Sequence, residues 1–99
     1  MTKPAATSRK KYQLRLFIAG ATQRSMNAIQ NVRHLCEEQF SGHYQLEIID
    51  IYQQPARACA EQIIVTPTLV KQAPLPVRRF IGDLSDTARV LGGMRHESH

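Results

Sequence analysis

A proline interrupts the strand-like stretch Val65-Thr66-Pro67-Thr68-Leu69-Val70, whose other residues are all β-branched or apolar. Proline has no backbone N–H group, so it normally stays out of strands unless it opens one or lies on a sheet edge. The stretch therefore has two interpretations. It is either an edge strand that tolerates Pro67, or a strand that Pro67 opens at its N-terminal end.

The first half of the chain has the pattern of a strand, a helix and a second strand. Tyr12 to Ile18 becomes apolar on both faces, as in a buried central strand. Thr22 can cap a helix in which apolar residues recur at three- and four-residue steps up to Phe40, and Ser41-Gly42 ends it. Tyr44 to Ile51 is the next strand. A crossover of this kind is right-handed, so we expect the two strands to be parallel.

The second half predicts shorter and weaker elements. In order, they are a helix over Ala56 to Gln62, a strand over Ile63 to Val70, a loop over Ala73 to Pro76, a strand over Val77 to Ile81 and a helix that begins between Leu84 and Thr87. Pro55 suits the first helical position. Asp83 or Ser85 is expected to cap the last helix, which Gly92-Gly93 weakens near its end.

This order of elements is the minimal order of a thioredoxin-like fold. The turn from Phe17 to Ser25 resembles the thioredoxin turn, and Pro67 is expected to face it from the mouth of its strand. Thr22 and Ser25, however, stand where the two redox cysteines would be. The sequence therefore predicts an α/β, thioredoxin-like single domain from which the thiol chemistry is missing.

Length and charge limit the organisation of the chain. Its 99 residues suffice for one domain, expected over residues 12–94 and followed by a short tail over 95–99. Four of the thirteen basic residues and no acidic ones lie in the first eleven, so most of the net charge of +5 belongs to a predicted disordered leader over residues 1–11. We find no signal peptide and no membrane segment of the required ~20 apolar residues, and we expect a cytoplasmic protein.

The sequence predicts no catalytic, metal-binding or cofactor-binding residues. Cys36 and Cys59 lack the Cys-x-x-Cys spacing, and Cys36 lies on the apolar face of the predicted helix, where a reduced and buried thiol is expected. The four histidines are scattered without the spacing of metal ligands: His34, His43, His96 and His99.

Several blocks of the chain resemble the KaiB family. They are Leu14 to Gly20 with Thr22 and Ser25, Ile49-Asp50, Thr66 to Leu69, and Pro76 to Ser85. The resemblance extends from about Tyr12 to Met94. Its most specific block is the last, which contains Arg78-Arg79 and the run Gly82 to Ser85.

The resemblance implies a non-enzymatic binding module in circadian regulation. Such a module docks on the N-terminal ring of the ATPase KaiC and recruits or displaces other partners, such as KaiA-like proteins or histidine kinases. The family is also metamorphic. A monomeric thioredoxin-like state binds KaiC, whereas an oligomeric ground state, a dimer or tetramer of order βαββααβ, pairs the half beyond about Gln53 differently.

The resemblance also assigns residues by matching position. The implied partner-binding residues are Asn27, Gln45, Glu47, Gln62, Arg78 and Arg79, and the fold-determining residues are Pro67, Gly82, Asp83 and Gly93. Clock members carry lysine where Glu47 and Gln62 stand, and an acid where Arg95 stands. A reversed charge at such a position changes association rate and partner choice. Two interpretations therefore stay open. The protein is either a clock component or a divergent, stress-related paralogue that serves another KaiC-like ATPase.

Two other function classes stay open beside the binding module. A thiol oxidoreductase or glutathione-type transferase would need an ionised thiol at the head of the first helix, where Thr22 and Ser25 supply only hydroxyls. A nucleic-acid binder would use the basic leader and Arg78-Arg79, yet no aromatic residues alternate with basic ones as base stacking requires. Because adjacent strand residues point to opposite faces, we expect the two arginines to be separated by the sheet.

Overall fold

The computed structural model describes residues 11–95. The predicted tail beyond Arg95, with His96 and His99, and the predicted leader up to residue 10 lie outside the described residues. Seven elements occur in the predicted order. They are β1 (Tyr12–Ile18), α1 (Gln23–Phe40), β2 (Tyr44–Asp50), α2 (Pro55–Ala60), β3 (Thr68–Ala73), β4 (Arg78–Ile81) and α3 (Thr87–Arg95).

The four strands form one sheet in the order β2-β1-β3-β4. β1 is parallel to β2, as the crossover predicts, with Tyr12 opposite Tyr44 and Phe17 opposite Ile49. β3 is antiparallel to both β1 and β4. The thioredoxin-like α/β fold is thus confirmed, with β2 and β4 as the two edge strands.

The two faces of the sheet are covered differently. On the helix face, Leu14, Leu16 and Leu69 pack with apolar residues of α1 and α3 in the main core. The opposite face, called the outer face below, has a small second core of Phe17, Ile49 and Val70. Because side chains alternate along a strand and residues paired across neighbouring strands share a face, every second residue from these three, and the residues paired with them, also lie on the outer face. They include Arg15, Gln45, Glu47, Gln72 and Arg79.

α1 is built as its sequence predicts. The Thr22 hydroxyl accepts a hydrogen bond from the Ser25 backbone N–H at 3.1 Å, which caps the helix. The helix buries the expected stripe, which includes the fully buried thiol of Cys36. Gly42 adopts a φ of +78°, which glycine adopts without strain, and the chain turns into β2 there.

The predicted strand over Ile63 to Val70 is wrong in its position. β3 begins only at Thr68, directly after Pro67, and continues to Ala73. Pro67 has no N–H group for the ladder, but its carbonyl accepts a hydrogen bond from the Gly82 N–H at 2.9 Å. Pro67 is buried and opens the strand, which is the second of the two interpretations of this stretch.

Three other predicted boundaries and one predicted helix cap also differ. α2 covers Pro55–Ala60 and not Ala56 to Gln62, because the chain leaves the helix and reaches Gln62 with a φ of +56°. β2 ends at Asp50, and β4 begins at Arg78. α3 begins at Thr87, and neither Asp83 nor Ser85 caps it. Asp86 does so, since its carboxylate accepts a hydrogen bond from the Arg89 N–H at 3.2 Å.

Candidate partner-binding face

The turn from Phe17 to Ser25, which leads into the first turn of α1, holds two hydroxyls where a thioredoxin has thiols. The Thr22 hydroxyl lies 3.0 Å from that of Ser25 and donates to it, and Ser25 is 3% exposed. The Thr22 hydroxyl therefore caps the helix, and the Ser25 hydroxyl is engaged by Thr22. Burial raises the pKa of the Cys36 thiol to about 12, while Cys59 is exposed on α2. Neither cysteine lies in the turn, so this end of α1 offers no thiolate.

Pro67 lies at the same end of the sheet as this turn. Thr68 pairs with Phe17, the penultimate residue of β1, so the N-terminal end of β3 lies beside the C-terminal end of β1. The Thr68 hydroxyl also donates to the carbonyl of Val65 at 2.6 Å. This end of the sheet therefore has the arrangement of a thioredoxin active site. Its side chains, however, cap α1 and bond to the backbone before β3.

Gly82 and Asp83 hold the turn between β4 and α3. Gly82 has a φ of +110°, a conformation that side chains strain, so glycine is required there. The Asp83 carboxylate accepts a hydrogen bond from the Ser85 N–H at 3.1 Å, and its backbone carbonyl accepts one from the Asn31 side chain at 2.8 Å. The Ser85 hydrogen bonds are the main reason why the pKa of Asp83 is lowered, and Arg24 adds a smaller effect.

Four of the six predicted partner-binding residues belong to the outer face or its rim. Gln45 and Glu47 lie on the edge strand β2, Gln62 lies in the loop before β3, and Arg79 lies on β4. The Arg57 guanidinium of α2 donates two hydrogen bonds to the Glu47 carboxylate, at 2.5 and 2.8 Å. These bonds lower the pKa of Glu47. The position where clock members carry lysine thus holds an internally paired carboxylate.

A second set of contacts extends this charge network across the sheet. Arg15 pairs with Glu61, and the Gln72 amide donates to the same carboxylate at 3.1 Å. Arg79 donates to the carbonyls of Gln62, at 3.2 Å, and Glu61. Together with the Arg57–Glu47 pair, these contacts fasten α2 and the following loop to all four strands. Beside it lies an open groove of about 520 Å³, lined by Gln13, Leu14, Arg15, Gln45, Leu46, Glu47 and Gln72.

Arg78 and Asn27 lie apart from these four residues. Arg78 is half-buried on the helix face, opposite Lys71 in the register of β3 and β4, so the two arginines are separated as predicted. The Asn27 side chain accepts a hydrogen bond from Gln23 at 2.8 Å. It lies one helical turn before Asn31, which bonds to the Asp83 loop. The structure therefore gathers four of the six residues and not all of them.

The sequence reasoning missed the residues that organise the outer face, which are Arg15, Arg57 and Glu61. The sequence did contain an indication of the role of Arg15. Arg15 and Glu47 each follow the tyrosine that begins their strand by three residues, and parallel strands in that register place them side by side. The contacts of Arg57 and Glu61 depend on where α2 docks, for which the sequence carries no local signal.

The fold and the turn from Phe17 to Ser25 define a thioredoxin-like domain with hydroxyls in place of redox thiols. The KaiB domain family matches residues 15–96, and the chain belongs to the KaiB family. It is 51% identical over 81 residues to the circadian clock protein KaiB3 of Synechocystis sp., covering 82% of this chain and 79% of that protein. It is 50% identical over 86 residues to the circadian clock oscillator protein KaiB of a Synechococcus strain, covering 87% and 78%.

Solved structures agree on the fold. The N-terminal domain of Synechococcus elongatus SasA superposes with a TM-score of 0.72 at 24% identity, over 100% of this chain and 96% of that domain. Chloroplastic thioredoxin z superposes with a TM-score of 0.68 at 22% identity, over 91% of this chain and 83% of that one. No helix within residues 11–95 is long and apolar enough to cross a membrane.

Proposed function

We propose that this protein is a non-enzymatic binding module that docks on a KaiC-type ring ATPase in clock-related regulation. Membership of the KaiB family supports the partner class, since relatives at about half identity are circadian clock proteins. The hydrogen bonding in the turn that leads into α1 supports the proposal that the protein is not an enzyme. The Thr22 hydroxyl donates to the Ser25 hydroxyl and accepts from the Ser25 N–H at the helix end, where an oxidoreductase of this fold needs a thiolate.

The outer face is the proposed docking surface. It combines an edge strand, an open polar groove and a set of charges that the four strands and α2 hold in place. Gln45, Glu47, Gln62 and Arg79 are the residues that we propose to contact the ATPase. A side chain whose position is fixed by its neighbours loses little entropy on binding, so a preorganised face suits a specific partner.

Glu47 gives the docking surface a testable charge preference. Its carboxylate is engaged by Arg57 on one side, and the side chain is still half exposed. A lysine at this position would repel Arg57 and Arg15, which lie beside it. We therefore propose that the partner of this protein differs in charge, at the point that meets Glu47, from the partner of a lysine-bearing relative.

A binding measurement with charge-matched variants tests this proposal. The full chain is titrated against each KaiC-type ATPase of the same organism, with and without ATP, and the affinities of Glu47→Lys and Gln62→Lys are compared with wild type. Glu38→Lys is the matched control, because Glu38 is equally accessible on α1 and pairs only with His34 within residues 11–95. We expect the outer-face variants to change affinity by about threefold or more, and the control to leave it unchanged.

The possible results of this measurement distinguish an error in the proposed function from an error in the proposed docking surface. If no KaiC-type ATPase binds the wild-type chain under any nucleotide condition, the proposed function is wrong. If wild type binds and all three variants bind equally well, the function stands and the docking surface lies elsewhere.

A further inference from the structure

The two edge strands of the sheet carry different exposed side chains on the outer face. β2 has the polar pair Gln45 and Glu47 there. On β4 the outer-face row is Arg79 and Ile81, and Val77, directly before the strand, continues the alternation. Val77 is 49% exposed and Ile81 is 55% exposed. β4 is therefore an edge strand with exposed apolar side chains, a feature that favours pairing with another chain.

The register of β3 and β4 leaves backbone groups of β4 open. Gly82 and Pro67 lie opposite each other at one end of this ladder, and the Gly82 N–H donates to the Pro67 carbonyl at 2.9 Å. Because hydrogen-bonded and non-hydrogen-bonded pairs alternate in an antiparallel ladder, the N–H and C=O groups of Arg79 and Ile81 point away from β3. Within residues 11–95, no strand or loop bonds to these groups. This outer side of the strand, called the β4 edge below, is thus open to a further strand.

Exposed apolar residues of the loop before β3 extend this surface. Thr68 lies opposite Ile81 on the outer face, and its hydroxyl donates to the Val65 carbonyl at 2.6 Å. Val65 is 43% exposed, and Ile64 beside it is 96% exposed. The Arg79 guanidinium holds the start of the same loop through hydrogen bonds to two backbone carbonyls. The apolar surface at the β4 edge is therefore broader than the strand itself.

The charge of the β4 edge indicates what kind of strand it accepts. Arg78 and Arg79 are both basic, and no acidic residue occurs between Ala73 and Gly82. A second copy paired through the same edge would place the arginines of two chains on neighbouring strands, where like charges repel. The Arg79 guanidinium uses two of its five N–H groups on the loop carbonyls, so donors and charge remain for an acidic group.

We propose that the β4 edge binds an extended segment of another protein, in which an acidic residue lies between two apolar residues at alternate positions. The acid faces Arg79, and the apolar side chains face Val77 and Ile81. Backbone hydrogen bonds give the affinity in such strand addition, and the side chains give the specificity. β1 and β3 separate this edge from Gln45 and Glu47 on β2, so the inference goes beyond the proposed function.

Amide nuclear magnetic resonance on the dilute full chain tests the β4 edge with two capped peptides. One is Ser-Val-Thr-Glu-Thr-Val-Ser, and the other has lysine in place of glutamate. In the free protein, the amide protons of Arg79 and Ile81 should exchange with solvent quickly, whereas that of Phe80 is protected by the ladder. The glutamate peptide should shift and protect the Arg79 and Ile81 amides, and it should bind about threefold or more tightly than the lysine peptide.

Substitutions of Ile81 separate the backbone from the side chain. Ile81→Pro removes a donor that points away from β3, so the β3–β4 ladder keeps its bonds and peptide binding weakens by about tenfold or more. Ile81→Ala keeps the donor and should lose less affinity, and Met26→Ala on α1, which removes another exposed apolar side chain, should lose none.

Three results would overturn the proposal. They are protection of the Arg79 and Ile81 amides in the free chain, including protection that grows with protein concentration through pairing with a second copy, equal binding of the two peptides, and no binding of either. The wild-type titration decides the matter even if Ile81→Pro does not fold.

Discussion

Gly93 of α3 lies against the ring of Phe80 on β4 so closely that it has no room for a side chain. A Cβ atom built at Gly93 would stand 2.4 Å from Cε1 and 2.7 Å from Cζ of that ring. The glycine is thus required for space and not for an unusual backbone angle. The contact fixes how α3 packs on the sheet, and it explains why a helix-weakening residue is placed there.

This relationship predicts that Gly93→Ala destabilises the thioredoxin-like fold. Overpacking of a fitted core costs about 1–3 kcal/mol, which exceeds the gain in helix propensity of about 1 kcal/mol. Chemical denaturation followed by circular dichroism measures the free energy of unfolding. Gly92→Ala is the control, because nothing lies within 4 Å of its Cβ position, and it should be neutral or stabilising.

A smaller ring partner should rescue the variant. In Gly93→Ala/Phe80→Leu the added methyl group gains room, so the double variant is expected to be more stable than the sum of the two single changes. Strict additivity in the double-mutant cycle would contradict the contact. Equal stability of Gly93→Ala and Gly92→Ala would contradict the packing argument itself.

The thiol chemistry of the fold should be absent here and recoverable. The wild-type chain is expected to show no turnover in insulin reduction with dithiothreitol, because Cys36 is buried with its pKa raised to about 12 and the turn has only hydroxyls. In Thr22→Cys/Ser25→Cys, two sulfurs replace oxygens that lie 3.0 Å apart. We expect a reversible disulfide at the head of α1, where the helix end favours a thiolate.

Controls for this prediction use the native cysteines. Wild-type turnover that Cys36→Ala or Cys59→Ala abolished would show that the chain is an oxidoreductase after all. Failure of the two introduced cysteines to form a disulfide in the folded protein would show that the turn does not keep the thioredoxin geometry.

The first half of the fold was predictable because its signals are local. The Thr22 cap, the spacing of apolar residues in α1 and Gly42 each act within a few residues, and all three agree. The second half was predictable in order but not in position, since the start of β3 at Thr68 depends on the bond between Pro67 and Gly82, fifteen residues away in the chain. The contacts of Arg57 and Glu61 in the outer-face network could not be predicted for the same reason.

The Glu47–Arg57 pair predicts a pH effect with a definite sign. The two hydrogen bonds from Arg57 lower the pKa of the folded Glu47 carboxyl below its unfolded value. The contribution of the pair to stability is therefore fully present above the unfolded pKa, and it is lost as the pH falls through the folded pKa. Because both side chains are substantially exposed, we expect a small effect on overall stability.

Carbon-detected titration of the Glu47 carboxyl measures this directly. In Arg57→Gln the pKa of Glu47 is expected to rise toward its ordinary range, whereas Arg89→Gln, which removes a distant pairing with Asp86, should leave it unchanged. An unchanged Glu47 pKa in Arg57→Gln would mean that the pair is not formed in solution.

This chain is expected to adopt two folds. Two arrangements coexist when they differ by a few kcal/mol, and the weak local signals beyond Gln53 leave that choice to tertiary contacts and assembly. In the thioredoxin-like state these contacts include the Phe80–Gly93 fit and Arg95, which lies 5.9 Å from the Phe40 ring centre and donates to Gln39 at 2.9 Å.

We expect the isolated protein at high concentration to be an oligomer, a dimer or more specifically a tetramer, and the form bound to a KaiC-type ATPase to be a thioredoxin-like monomer. Oligomer formation stabilises one state by mass action, so dilution should shift the population toward the monomer. Light scattering and amide resonances across a dilution series measure both. Arg95→Ala removes these two contacts of the thioredoxin-like state and should raise the oligomer fraction. A monomer at every concentration, with one set of resonances for residues 53–94, would exclude switching in this chain and leave the proposed docking untouched.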